Sequence, residues 1–181
     1  GFIGFHLSNK LIKLKCKVYG IDNLNNYYDV NIKKNRLKIL KQNQNFFFNK
    51  IDLVDKIKLF KFLRKHKFKY VINLAAQAGV RYSLENPMSY VNNNIIAFLN
   101  LVEFFRIQKP DHFITASTSS CYGASTKFPL TENNPSNEPL QLYAVTKKTN
   151  ELNAYAYSHL FNIPITAVRL FTVYGPWGRP D

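Results

Sequence analysis

The chain opens on Gly1-Phe-Ile-Gly4, runs on through a stretch with Phe5, Leu7, Leu11, Ile12 and Leu14 as its apolar positions, and reaches Lys17-Val-Tyr-Gly-Ile-Asp22, a short apolar run ending in an acid. Few folds accommodate that succession. Glycines ahead of a helix let the backbone approach an anion, and the helix turns its positive N-terminal dipole toward it. A buried strand that delivers a carboxylate roughly 20 residues later offers an acceptor to a ribose. Gly1, Phe2, Ile3 and Gly4 are therefore expected along a dinucleotide pyrophosphate, and Asp22 at the adenosine ribose. A carboxylate there repels a 2′-phosphate, which favours NAD over NADP. A loop-capping aspartate is the other reading of Asp22. The two glycines look like the second half of a Gly-x-x-Gly-x-x-Gly turn, so a strand and a first glycine are expected upstream of Gly1.

Strand and helix patterns then alternate. Residues 31–41 and 56–66 read as helices, the second with Ile57, Phe60 and Leu63 on one face, and Phe46 to Asp52 as a strand running into a turn. Tyr70-Val-Ile-Asn-Leu74 is an apolar strand followed by the small, turn-prone residues 75–79. Long helices are expected at 88–108 and 140–161, with strands at 112–116 and 163–169. Such alternation predicts an α/β fold built on a doubly wound parallel sheet, the Rossmann arrangement, which binds ligands at the carboxyl ends of its strands. No repeat, linker or low-complexity boundary interrupts it, so residues 1–181 read as most of one NAD-binding domain. The substrate-binding lobe is expected beyond Asp181.

The chemistry is carried by Tyr143-Ala-Val-Thr-Lys147 and, upstream of it, Ser117-Thr-Ser-Ser-Cys-Tyr-Gly123. A tyrosine and a lysine at i and i+4 lie on one helix face, a turn apart. An ammonium beside a phenol favours the phenolate, so a group with an ordinary pKa of about 10 can serve as a base near neutrality. Thr118 supplies a hydroxyl partner for the same substrate oxygen. An isolated Tyr-x-x-x-Lys equally suits a surface helix with a partly buried tyrosine; the order of the surrounding motifs argues for catalysis.

Composition sets bounds. The net charge of +14 invites a nucleic-acid reading, yet the lysines are scattered over helices and loops rather than gathered in a patch, which argues against one. Cys16 and Cys121 form neither a disulfide framework nor a metal spacing and suit a reducing cytoplasm. The four histidines have no ligand spacing, and no apolar run is long enough for a membrane helix.

These landmarks resemble the extended short-chain dehydrogenase/reductase superfamily in its NAD-dependent epimerase/dehydratase branch. They are Gly1 to Gly4, Asp22-Asn23, Asp52-Leu53, Asn73 to Arg81, Asn92-Asn-Asn94, Ser117 to Gly123, Tyr143 with Lys147, and Arg169 to Gly175, in family order. Residues 22–29, 75–81 and 173–181 most resemble the UDP-glucuronate 4-epimerases of capsular polysaccharide biosynthesis. The resemblance implies Gly1 and Gly4 at the pyrophosphate, Asp22 and Asn23 at the ribose, and Asp52 and Leu53 flanking the adenine. Leu74, Ala75, Ala76 and Asn93 would border the cofactor, and Lys147 would bridge its nicotinamide ribose. Tyr143 becomes the base and acid with Thr118 as hydroxyl partner. Thr172 falls where the family meets the sugar nucleotide, and Arg179 and Arg81 are candidates for the substrate carboxylate or phosphate. Ordinary surface placement remains open for both arginines.

An isomerase of this kind oxidises the C4 hydroxyl of a UDP-sugar, turns the keto sugar and reduces its opposite face. A 4,6-dehydratase would need an acid and a base after Thr118, where Ser119 and Ser120 stand. UDP-glucose 4-epimerase is the nearer rival, and a catalytically silent NAD-binding module is the alternative from another class. Such enzymes pair as homodimers through two helices of each subunit, for which 88–108 and 140–161 are the candidates.

Overall fold

The computed structural model describes residues 1–125, 127–178 and 180. Among the described residues, five parallel strands alternate with helices. Helix α1 (Phe2–Lys13) follows directly on Gly1, whose carbonyl accepts the Phe5 N–H at 3.0 Å. Strand β1 (Val18–Asp22) pairs in parallel with β2 (Phe46–Lys50), with helix α2 (Val30–Leu40) between them in sequence. Helix α3 (Lys56–Leu63) leads to β3 (Tyr70–Asn73). Two short helices, α4 (Tyr82–Glu85) and α5 (Pro87–Tyr90), precede a π-helical turn at Val91–Ile96 and helix α6 (Ala97–Phe105). Strand β4 (His112–Thr118) ends in a tight 3₁₀ turn, Ser119–Tyr122. The 20-residue helix α7 (Leu142–Phe161) and strand β5 (Ile165–Leu170) complete the order.

Local chemistry accounts for several of these boundaries. The carboxylate of Asp29 accepts the Asn31 N–H at 2.8 Å and that of Asp55 the Lys58 N–H at 3.0 Å, capping α2 and α3. Asn86 caps α5 from its side chain, with Pro87 at the first helical position, where its missing N–H costs nothing. Helix α7 stops at Asn162, which takes the left-handed conformation that asparagine tolerates better than most residues.

The strands form two parallel sheets, β1 with β2 and β3-β4-β5, with no ladder between β1 and β3. The sequence pattern predicts one doubly wound sheet, and each piece has the pairing order of such a sheet on its own side of that break. A shared core ties them together. Leu59 and Leu63 of α3, Phe98, Val102 and Phe105 of α6 and Phe113 of β4 are buried in one cluster, against which Tyr19 and Ile21 of β1 also pack. Each fully buried side chain of this kind contributes about 1.5–3 kcal/mol relative to exposure. Because β3, β4 and β5 are parallel, Asn73, Thr118 and Leu170 all lie at the carboxyl edge of their sheet.

The helix expected at 88–108 is a composite, with the wide turn at Val91–Ile96 inside it, and helix α4 went unread because four residues are too few to display a period. Helix α7 begins at Leu142 rather than 140.

Candidate active site

Tyr143 is the second residue of α7, and Lys147 lies one turn further in, only 2% exposed. The Tyr143 ring meets the edge of Tyr90 at 6.2 Å between centroids. Burial pulls the Lys147 ammonium down to about 8, with Cys121 and Glu151 acting in the opposite sense. At neutral pH it is therefore still mostly a cation, in a dry environment where its field is strong.

Thr118, at the end of β4, is buried and organises the turn that follows. Its hydroxyl accepts the Ser120 N–H at 3.2 Å and donates to Ser120 Oγ at 3.2 Å. The turn is seated on the first residues of α7 through Cys121, whose thiol donates to the Ala144 carbonyl at 3.7 Å. Thr118 and Tyr143 thus belong to one packed unit at the carboxyl edge of the sheet.

A second layer stands behind that unit. Ser117 Oγ donates to Glu151 Oε1 at 2.6 Å, and Arg169 of β5 grips the same carboxylate with two bonds of 2.8 Å. Lys148 reaches Glu151 at 3.3 Å, and both Lys148 and Arg169 donate to Ser136 Oγ. Burial works against the Glu151 charge, but the bonds from Arg169 and Ser117 outweigh it and hold the carboxyl down to about 2. Asn94 forms a further tie. Its amide donates to Thr146 Oγ1 at 2.9 Å and to the Gln77 carbonyl at 3.1 Å, and accepts the Gln77 N–H at 2.7 Å. Its backbone carbonyl accepts from Asn150 at 2.9 Å, so the turn at Val91–Ile96 is bonded directly to α7.

The expected dinucleotide residues gather on the other side. Asp22 ends β1; its Oδ1 accepts the Leu24 N–H at 2.7 Å, and the Gly1 nitrogen lies 3.1 Å from its Oδ2. Asn23 donates to Asp52 at 3.0 Å, which brings the ends of β1 and β2 together, while Leu53 packs on the core. Leu74 stands beside Gly4, where an added Cβ would lie 3.8 Å from Leu74 Cδ1. Ala75 and Ala76 are exposed just past β3. A helix N-terminus opening on glycine, an acid at the neighbouring strand end and small residues beyond β3 fit a dinucleotide.

The remaining candidates are more dispersed. Asn93 donates to the Ser89 carbonyl at 2.8 Å; the buried, cross-linking residue is its neighbour Asn94. Arg81 is exposed at the start of α4, and Thr172 is exposed just beyond β5. Arg179 lies outside the described residues. The segment after Thr172 folds back as a strap over α1 and α2. His6 Nε2 lies 2.8 Å from the Pro176 carbonyl, Trp177 packs against Phe5, and Arg36 donates to the carbonyls of Trp177 and Gly178. Glu151, Arg169, Ser117 and Asn94 were not singled out as site residues from sequence. The one available signal for Glu151 was its place a turn beyond Lys147 on the same helix face.

Among the described residues, no group of His, Cys, Asp and Glu is arranged to hold a metal ion, and no helix is long and apolar enough to cross a membrane.

Parallel strands with a helix-borne tyrosine–lysine pair at their carboxyl edge define the extended short-chain dehydrogenase/reductase class. The chain belongs to the GDP-mannose 4,6 dehydratase family, whose model matches residues 1–180. It is 51% identical over 181 residues to Protein CapI of Staphylococcus aureus, covering 100% of this chain and 54% of that protein. Its fold superposes with a TM-score of 0.92 on a UDP-glucuronic acid 4-epimerase from Bacillus cereus solved with UDP-glucuronic acid and NAD, at 38% identity and over 100% of this chain and 57% of the other. A UDP-glucose 4-epimerase from Thermotoga maritima, solved with UDP-glucose, gives a TM-score of 0.88 at 31% identity, covering 99% and 55%. The chain thus spans about half the length of the relatives it matches.

Proposed function

We propose that residues 1–181 form the NAD-binding part of a nucleotide-sugar 4-epimerase that interconverts UDP-glucuronate and UDP-galacturonate. The observation that carries the reading is the Tyr143/Lys147 pair, with its lysine fully buried and its helix joined to the Thr118 turn. Bound NAD would take the hydride from C4 of the sugar and return it to the opposite face.

The chain's own groups do the rest. Tyr143 takes the C4 hydroxyl proton and gives it back, while the buried Lys147 ammonium favours the phenolate. Thr118 hydrogen-bonds the same oxygen. Gly1 to Gly4, Asp22, Asn23, Asp52, Leu53, Leu74, Ala75, Ala76 and Asn93 hold the cofactor, and Thr172 contacts the sugar nucleotide. Arg179 and Arg81 are the groups for the substrate carboxylate or diphosphate, since a guanidinium binds either through two parallel bonds. Ser119 and Ser120 lack the acid and base that removal of water across C5 and C6 requires, which supports epimerisation over dehydration. The free thiols of Cys16 and Cys121 support a reducing, cytoplasmic location. Exposed Leu152 and Tyr155 on α7 support a homodimer formed through that helix.

The test is a product assay on the full chain with added NAD, offering UDP-glucuronate and UDP-glucose separately and resolving the 4-epimers by chromatography. Galacturonate product from the first alone is expected. Galactose product from the second would move the protein to the neutral-sugar branch, and no product from either would overturn the reading.

A further inference from the structure

Glu151 lies two turns from Tyr143 and one from Lys147, and its carboxylate is shared among three elements. Ser117, which donates to it at 2.6 Å, immediately precedes Thr118 on β4. Arg169, which grips it with two bonds of 2.8 Å, is the parallel partner of Ser117 on β5 and stands three residues before Thr172. Lys148 and Arg169 both hold Ser136, which fixes the loop leading into α7. The Arg169 guanidinium also lies over the Tyr122 ring at 4.7 Å, which fixes the turn after Thr118. The segments that carry Thr118, Tyr143 with Lys147, and Thr172 are therefore tied to one side chain.

We propose that Glu151 is a positioning residue. It locks the register of α7 against β4 and β5, so that Tyr143, Lys147 and Thr118 converge on one substrate oxygen. The proposal rests on the epimerase reading for its chemistry. It needs no contact between Glu151 and the sugar. A bidentate Arg–carboxylate pair has a narrow geometry, so it specifies distance and direction together. Tolerances at such a site are tight, and a shift of about 1 Å can cost about 10²-fold in rate.

The groups that bear on the Lys147 charge are few. Cys121 faces it from the turn after β4, and Glu151 from its own helix. Tyr143 lies one turn away with Tyr90 of α5 against it. Lys148 and Arg169 are engaged by Glu151 itself. Removing the carboxylate withdraws a negative neighbour from the ammonium, so the Lys147 titration must move to lower pH.

The experiment uses Glu151→Gln and Glu151→Asp in the full chain. For Glu151→Gln, kcat should fall by about 10²-fold with KM and NAD affinity nearly unchanged. The alkaline limb of its kcat profile should also move to lower pH. Glu151→Asp restores the charge but not the reach; its alkaline limb should return to the wild-type position while kcat stays low. Lysine side-chain NMR titration of Lys147 gives a readout that needs no turnover and should fall in Glu151→Gln alone. Wild-type kcat in a folded Glu151→Gln, or a Lys147 titration that does not move, overturns the inference. An inactive wild type overturns the epimerase reading instead, and leaves the titration to decide this one.

Discussion

The two ends of the expected cofactor cleft are held in different ways. On the Tyr143 side, polar ties reach across the chain: Asn94 to Thr146, Asn150 to Asn94, Ser117 to Glu151 and Arg169 to Glu151, all between separate elements and all at least half-buried. On the Asp22 side the ties are mostly short in sequence. Asp22 bonds Leu24, Asn23 bonds Asn25, Asp52 bonds Val54 and Asp29 bonds Asn31, each two residues on. Asn23 to Asp52 joins the ends of β1 and β2, and the longer ties there, His6 to Pro176 and Arg36 to Trp177, run to the strap rather than to the Asp22 carboxylate. Recognising a ribose requires a carboxylate at the right strand end, which local turns can supply. Moving a proton requires three groups from two elements to agree within a fraction of an ångström, and that takes bonds between elements.

The contrast can be broken first at the chemistry. Tyr143→Phe in the full chain should lower kcat by at least about 10²–10⁴-fold while NAD still binds, because the hydroxyl lost is the proposed proton carrier and the other proposed cofactor contacts remain. Turnover near the wild-type rate would remove the phenol from the mechanism.

Arg169→Ala comes next. It leaves the half-buried Glu151 carboxylate with Ser117 and Lys148 but without its guanidinium, which should cost about 1.5–3 kcal/mol in chemical denaturation. Acid gives the same contrast without mutation. The Glu151 carboxyl is held down to about 2, below its unfolded value of about 4.3, so its stabilisation is complete above that value and is lost as pH falls from about 4 toward 2. That acid sensitivity should shrink in Arg169→Ala, leaving the share that Ser117 and Lys148 hold at Glu151 and that of Asp22 and Glu103; an unchanged profile would place the carboxylate responsible elsewhere.

The smallest effect belongs to the locally tied half. Asp29→Ala removes one cap from α2 and should cost about 1 kcal/mol, with kcat unchanged. A loss of several kcal/mol would mean that this half is as interdependent as the other.

The sequence announced what is local. Tyr143 and Lys147 stood out because a helix period brings i and i+4 together, and the glycine turn with Asp22 because a strand and a helix fix their separation. The strands were readable as apolar runs between turns. What stayed hidden depends on tertiary neighbours. Glu151 and Arg169 are 18 residues apart on different elements, and nothing in either stretch marks them as a pair. Arg36, within the expected helix 31–41, is only 2% exposed and holds the carbonyl of Trp177, 141 residues away. The resemblance places Asn93 at the cofactor border; that its neighbour Asn94 is the buried one, bonded to Thr146 and Gln77, was not legible, because a run of asparagines carries no sign of which one turns inward.

The widened turn at Val91–Ile96 has a consequence of its own. A π-helical turn is an α-helix with one supernumerary residue, so here the number of letters matters as well as their identity. Exchanging one residue of this stretch for another disturbs a contact. Dropping one would rejoin α5 and α6 as a uniform helix and swing everything before it by about 100° around the axis. Tyr90, fully buried beside Tyr143, would then face elsewhere, and Asn94 would lose its hold on Gln77 and Thr146. The helix acts as a dial, and the extra residue sets the position at which it points.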